Sequence, residues 1–364
     1  MRKKVNYIKI KGYKIHWNKM IASVVNIGFL FSTGKSMLMI IYELTGYLKV
    51  VMPLVDYSDE SKYYYVLNGI HGMKYGQQAL AIGLIVDIAV FVWLFFLLLK
   101  QNSTKKLLII EHTSLQHLSF SYNKDELEEY TVVELPINQF ETISNKSLPL
   151  EEKVILLITE IENILPQINE YVDKDYQIGY AGIPVGNIPC VFMLGYELDD
   201  ANKKLYFHKN RNNSSDDDFH LLKDDPIQIK LHMERKENNA DKNGKILAII
   251  QLTQPIHNED LQGVQEENDY ILKYEIQGNI DYDIINSAKQ TNEYVQQILS
   301  DIADVQKNPK ISEIKICVAA SSGFIFALGT KFSKTQNIDT VIYQFYKVRY
   351  SWGINVTKRI PVIN

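Results

Sequence analysis

The sequence predicts an α/β fold: two Rossmann-like units in tandem, preceded by a two-helix α transmembrane segment. Three observations predict it. Two long apolar runs lie near the N-terminus, at about 20–42 and 79–99. After residue 101, strand-like and helix-like hydrophobic periods alternate. The order of those elements then repeats, with matching landmarks about 134 to 140 residues apart. The chain accordingly divides into a basic cytoplasmic segment, 1–18, a transmembrane region, 19–100, and a soluble part, 101–364, whose halves run about 107–225 and 226–364.

Charge is distributed unevenly. Met1 to Lys19 carries seven Lys or Arg and no acid, so against a total of −4 the remaining residues carry −11. An acidic main body argues against a DNA or RNA polymer as partner, because such binding is driven by phosphate neutralisation. Basic residues beside an apolar run instead suit anionic lipid headgroups. The two cysteines, Cys190 and Cys317, lie far apart and outside any CxxC pattern, which fits a reducing compartment and no Cys-rich metal site.

The run 79–99 is apolar apart from Gly83 and Asp87, and at roughly 1.5 Å per residue it covers about 30 Å, the thickness of a bilayer core. The earlier run, 20–42, is entered at Trp17 and interrupted by Asn26, Ser32, Thr33 and Lys35. No small-residue cleavage site follows it, which argues against a signal peptide. Lys and Arg are denser before the first run and after the second than in the connection between them, where only Lys49, Lys62 and Lys74 occur. The positive-inside rule then places both termini in the cytoplasm, with two passes through the bacterial inner membrane. Measured from the cytoplasmic ends of their helices, Lys35 lies roughly 24 Å and Asp87 roughly 20 Å into the bilayer. Either the two charges pair along a polar seam or Lys35 snorkels outward at a helix break. Ser32-Thr33-Gly34-Lys35-Ser36 mimics the end of a P-loop, but position 29 is Phe where that motif needs Gly.

In the soluble part, Leu107–Ile110 reads as a buried strand, and Ile246–Ile250 is its counterpart. Val154, Ile158, Ile161, Leu165 and Ile168 mark one helix face, bent at Pro166, and Ala288, Thr291, Val295, Ile298, Ile302 and Val305 another. Next come two strands running into small-residue turns, Gln177–Gly182 and Lys315–Gly323. Each leads to an apolar helix start that ends in Leu-Gly, at Leu194-Gly195 and Leu328-Gly329, and then to an aromatic strand, Leu205–His208 and Val341–Tyr346. Open α/β sheets bind ligands beyond the carboxyl ends of their strands, at the topological switch point. That rule selects Glu111, His112, Thr113 and Ser114 with Tyr180, Ala181 and Gly182 in the first copy. In the second it selects Thr253 and Gln254 with Ser321, Ser322 and Gly323. Small residues there either let a ligand approach the backbone or serve ordinary capping and packing.

These residues, most clearly Tyr180–Gly195 and Ile316–Tyr346, resemble the SAVED domain, a fusion of two CARF-like units found in bacterial anti-phage systems of the CBASS type. The resemblance runs from about Leu107 to Lys358, and with the two apolar runs the chain resembles the transmembrane SAVED effectors. It implies a sensor for a cyclic di- or trinucleotide made by a partner nucleotidyltransferase. It also implies ligand-induced head-to-tail homo-oligomerisation, disruption of the lipid bilayer and abortive infection, with no cofactor beyond the activating ligand. The chain departs from the family in its second turn, where Ser321-Ser322 stands in place of a frequent proline; the first turn keeps Pro184.

Catalytic signatures are absent from the sequence. The eight histidines form no HExxH motif or metal-ligand spacing, and no G-x-S-x-G elbow occurs. Asp216–Asp218 and Asp224-Asp225 read as solvated loop. CARF-like domains can cleave their ligand, which gives His112 with Glu111 some interest, yet a strand-end His more often contacts ligand or caps the core. The expectation is no enzyme and no metal. The alternative, a membrane-anchored enzyme of the Rossmann-like class binding a nucleotide or cofactor, predicts a GxGxxG turn after the first strand, but Ile110–Ser114 contains no glycine. A constitutive channel is the third reading, and two spans per chain would require oligomerisation.

Overall fold

The computed structural model describes residues 7–10, 13–16 and 105–364, apart from 185, 200–203, 210–218, 226–228, 237–243 and 279. The expected spans 20–42 and 79–99, with Lys35 and Asp87, lie outside the described residues. Among the described residues no helix is long and apolar enough to cross a membrane. The chain divides into two compact units, Met1–Thr104 and Lys105–Asn364. In the first, β1 (Tyr7–Ile10) and β2 (Tyr13–His16) pair antiparallel with Ile8 opposite Ile15 and Lys9 opposite Lys14. The reading of 1–18 as a basic segment did not anticipate that pair.

The second unit holds two sheets. The first contains β3 (Lys105–Thr113), β4 (Tyr130–Asn138), β5 (Gln177–Ile183), β6 (Lys204–Lys209) and β7 (Phe219–Leu221), in the order β4-β3-β5-β6-β7. The second contains β8 (Leu231–Lys236), β9 (Gly244–Gln251), β10 (Tyr270–Ile276), β11 (Ile311–Ala319), β12 (Thr340–Tyr346), β13 (Arg349–Asn355) and β14 (Ile360–Ile363). Its order is β14-β13-β12-β11-β9-β10-β8. Five consecutive strands therefore match, β10-β9-β11-β12-β13 repeating β4-β3-β5-β6-β7. The matching extends to direction: four strands are parallel in each, and β7 and β13 run antiparallel to β6 and β12.

Both central strands are apolar on both faces, as parallel strands covered on two sides must be. Leu108 and Ile110 share a core with Val154, Ile158 and Ile161 of α2 (Leu150–Asp173), while Leu107 and Ile109 pack with Phe207 and Phe219. Ile246, Ala248 and Ile250 join Val295, Ile298 and Ile302 of α4 (Ala288–Gln306), and Leu247 and Ile249 face Cys317 and Tyr350. A short α1 (Phe140–Ser144) precedes α2, which runs unbroken through Pro166. Ser287 caps α4, its hydroxyl accepting from the Gln290 amide.

The two sheets are joined by α3 (Ile188–Leu198) and α5 (Ser322–Lys331). Helices apolar on all sides belong inside a core, and α3 is buried from Pro189 to Tyr196 and α5 from Gly323 to Thr330. The two Leu-Gly pairs lie within these helices rather than ending their starts. A Cβ at Gly195 would strike the Phe326 carbonyl oxygen, and one at Gly329 would strike the Phe192 carbonyl oxygen. The contacts are reciprocal, and both partners are related by the same 134-residue offset. Glycine is required at both positions because backbone meets backbone there.

Candidate functional site

The carboxyl ends of β5 and β6 meet those of β9, β11 and β12 around a cavity of about 700 Å³. The first copy lines it with Gly182, Pro184 and Ile188 and with His208 and Lys209; the second contributes Thr253, Gln254, Asp260, Tyr282, Ser321, Ser322, Gln344 and Phe345. The walls are mixed: hydroxyls, amides, one ammonium, one imidazole, one carboxylate and two half-exposed aromatic rings. The His208 Nε2 lies 2.9 Å from Asp283 Oδ1.

Each copy is stitched to the other at a helix start. The Ser322 hydroxyl at the beginning of α5 donates to the Gly182 carbonyl at the end of β5 (2.5 Å). The Ile188 amide at the beginning of α3 donates to Gln344 Oε1 on β12 (2.7 Å). A helix start has unpaired N–H groups, and in α3 one of them is satisfied by the opposite copy. On the second-copy side, Leu252 and Thr253 donate their amides to the Ala319 carbonyl (2.8 and 3.0 Å), so the loop after β9 is bent towards β11 and into the cavity wall. Gln251 pins that loop from below, accepting from the Ile256 amide (3.1 Å) and donating to Glu275 (2.8 Å).

The equivalent place in the first copy is filled. His112 is fully buried; its Nε2–H donates to Gln139 Oε1 (2.8 Å), and its Nδ1 accepts from the Tyr180 hydroxyl (3.2 Å). Asn187 also donates to Gln139 Oε1, and Gln139 donates to Glu160 (3.0 Å). Burial holds the His112 imidazole down to about 4, against a weaker upward pull from Gln139, so it stays neutral. Burial also pushes the adjoining Cys190 thiol up to about 12.

Of the twelve strand-end residues selected from sequence, Gly182, Thr253, Gln254, Ser321 and Ser322 line the cavity. The other seven lie outside its lining. His112 belongs to the buried network just described. The Tyr180 ring is buried and stacked on Phe326 at 4.4 Å, Ala181 packs with Leu107 and Phe207, and Gly323 is buried in α5. Thr113 Oγ1 accepts from the Leu115 amide (3.0 Å), and Ser114 is buried. Glu111 accepts from the Tyr122 hydroxyl (2.9 Å), with its carboxyl raised above the usual range by burial. The expected Glu111–His112 pair is split: Glu111 faces Tyr122 and His112 the buried network.

Sequence reasoning missed Lys209, Tyr282, Gln344 and Phe345. Gln344 and Phe345 stand in the aromatic strand already noted, and Lys209 follows His208 directly. Tyr282 sits between β10 and α4 with no periodic signal.

Residues 160–356 match the family profile described as the SMODS-associated and fused to various effectors sensor domain, SAVED. No curated protein matches the chain in sequence. Among solved structures, it is similar to the Acinetobacter baumannii Cap4 SAVED/CARF-domain containing receptor with the cyclic trinucleotide 3′3′3′-cAAA. That match has 15% identity and a TM-score of 0.41, covering 65% of this chain and 51% of the receptor. The corresponding Moraxella osloensis receptor matches at 14% identity and a TM-score of 0.38, covering 66% of this chain and 47% of that one. The chain thus spans about half the length of these receptors.

Proposed function

The chain belongs to the SAVED family of sensor domains, and from that premise we propose that it is a membrane effector of bacterial anti-phage signalling. A cyclic di- or trinucleotide binds at the seam of the two copies, protomers associate, and the apolar segments 20–42 and 79–99 permeabilise the inner membrane, ending the infected cell. The protein acts by binding and assembly, without catalysis.

One observation carries this reading: a cavity of about 700 Å³ lies where the strand ends of both copies meet. A ligand there touches β5, β6, β11, β12 and the loop after β9 together, so its binding energy bears on the relation between two sheets. Its volume falls in the ordinary range for small-molecule sites. Lys209 and the α5 start at Ser321-Ser322 supply groups suited to phosphate. Association of protomers rests on the family resemblance, and the membrane step is supported by the two apolar runs. Only five residues, 100–104, separate the second apolar run from the start of β3 at Lys105. A linker so short transmits sensor rearrangement to the attached segment.

The test uses the full chain reconstituted in dye-loaded liposomes and a panel of cyclic di- and trinucleotides that includes 3′3′3′-cAAA. One member should trigger leakage that is absent without it. Asp87→Leu should retain binding yet slow the leak. Equal leakage with and without every cyclic oligonucleotide would sink the gated-effector reading.

A further inference from the structure

The cavity is asymmetric in its aromatic surface. Phe345, at the end of β12, is 42% exposed and Tyr282 is 40% exposed, and both line the cavity. Both come from the second copy. The first copy's aromatic lining residue, Phe207, is 2% exposed and belongs to the cluster with Phe219. Large aromatic rings left half open inside a polar cavity forgo burial worth having. They are also held in place. The Phe345 ring meets Tyr350 edge-on, with centroids 5.6 Å apart and planes at 77°, and Tyr350 is itself buried with its hydroxyl on the Val318 carbonyl (3.3 Å). Tyr282 is fixed through its hydroxyl, which accepts from the Gln254 amide. Fixed rings with open surface are what a nucleobase needs for stacking, which every base can do through its π-face.

We propose that the second copy reads the bases of the ligand by stacking on Phe345 and Tyr282, while Lys209 of the first copy faces its phosphates. The inference rests on the sensor reading above and adds a selectivity to it. Stacking gains with ring area, so purine ligands are preferred over pyrimidine ligands of the same ring size and linkage.

Binding to the full chain in nanodiscs is measured by calorimetry for cyclic di- and triadenylates and their uridylate counterparts. A cyclic triadenylate carrying one 2-aminopurine serves as the fluorescent probe. Adenylates should bind at least about tenfold tighter than uridylates. Phe345→Leu should weaken adenylate binding by about 5- to 150-fold, the range of losing one stacked base, and Phe345→Trp should restore it. Tyr282→Leu should weaken binding more than Tyr282→Phe, which keeps the ring but loses its anchor to Gln254. The 2-aminopurine quenching should diminish in both Leu variants while their melting temperatures stay near wild type. Wild-type binding with unchanged quenching and affinity in both Leu variants overturns the stacking and leaves the sensor reading standing. Failure of wild type to bind any cyclic di- or trinucleotide, guanylates and cytidylates included, overturns both.

Discussion

The two copies share one strand order and treat the same place in it oppositely. At the β3/β5 strand ends, His112, Gln139, Asn187 and Tyr180 fill the crevice with buried hydrogen bonds. At the β9/β11 ends, Thr253, Gln254 and Ser321 line open space. Topology creates a crevice at each switch point, but topology does not decide whether it stays open. That depends on side chains from neighbouring elements, here a glutamine ahead of α1 and an asparagine ahead of α3.

The sharpest way to break the pairing of the copies is through the glycines between them. Gly329→Val and Gly195→Val each drive a side chain into a helix backbone that has no room to give. Each should cost more than about 3 kcal/mol, beyond ordinary overpacking. Because the contacts are reciprocal, denaturant melts should give similar losses for both. A large loss in one and none in the other would mean that the halves are not joined as equivalents.

The filled crevice should reveal itself through pH. With the His112 imidazole held at about 4 when folded and near the ordinary 6.5 when unfolded, the unfolded chain binds the proton that the folded one refuses. Its neutral form contributes fully above about 6.5. Stability then falls as pH drops from about 6.5 towards about 4, by a total of about 3 kcal/mol from this group. The difference in unfolding free energy between wild type and His112→Gln, followed over that window, isolates the slope from other titrating groups. A flat difference would place the imidazole in water instead. Ligand affinity of the His112→Gln protein at pH 7.5 should match wild type, since the residue lies outside the cavity.

The smallest effect concerns the stitch on the open side. Ser322→Ala removes the hydroxyl that reaches Gly182 and should lower stability by about 1 kcal/mol, the usual net value of one hydrogen bond. Urea melts can resolve a change of that size. No change would mean that water replaces the bond at no cost.

Much of this architecture was legible from spacing alone. Leu107–Ile110 and Ile246–Ile250 announce buried strands, and the repeat offset by itself pairs α2 with α4 and α3 with α5. The half of the cavity lined by Thr253, Gln254, Ser321 and Ser322 followed from the switch-point rule. Applied evenly to both copies, that rule also selected Glu111–Ser114, and there it met a packing decision made far along the chain: Gln139 and Asn187 lie 27 and 75 residues beyond His112. No local pattern encodes such a convergence. Tyr282 was illegible for a similar reason, being an isolated aromatic in a connection. The Leu-Gly pairs were noticed as helix-start markers, but their cause, backbone against backbone, needs both helices in view.

Reciprocal contact between Gly195 and Gly329 has a consequence for how this chain could come to specialise. A surface that is complementary to its own copy is what a two-fold axis requires of identical partners. Joining such partners in one polypeptide makes their association intramolecular, so it no longer depends on how many molecules are present. A mutation in one half is then no longer imposed on the other. The linked halves are free to stop being twins, and here one keeps its strand-end crevice open while the other has filled its own.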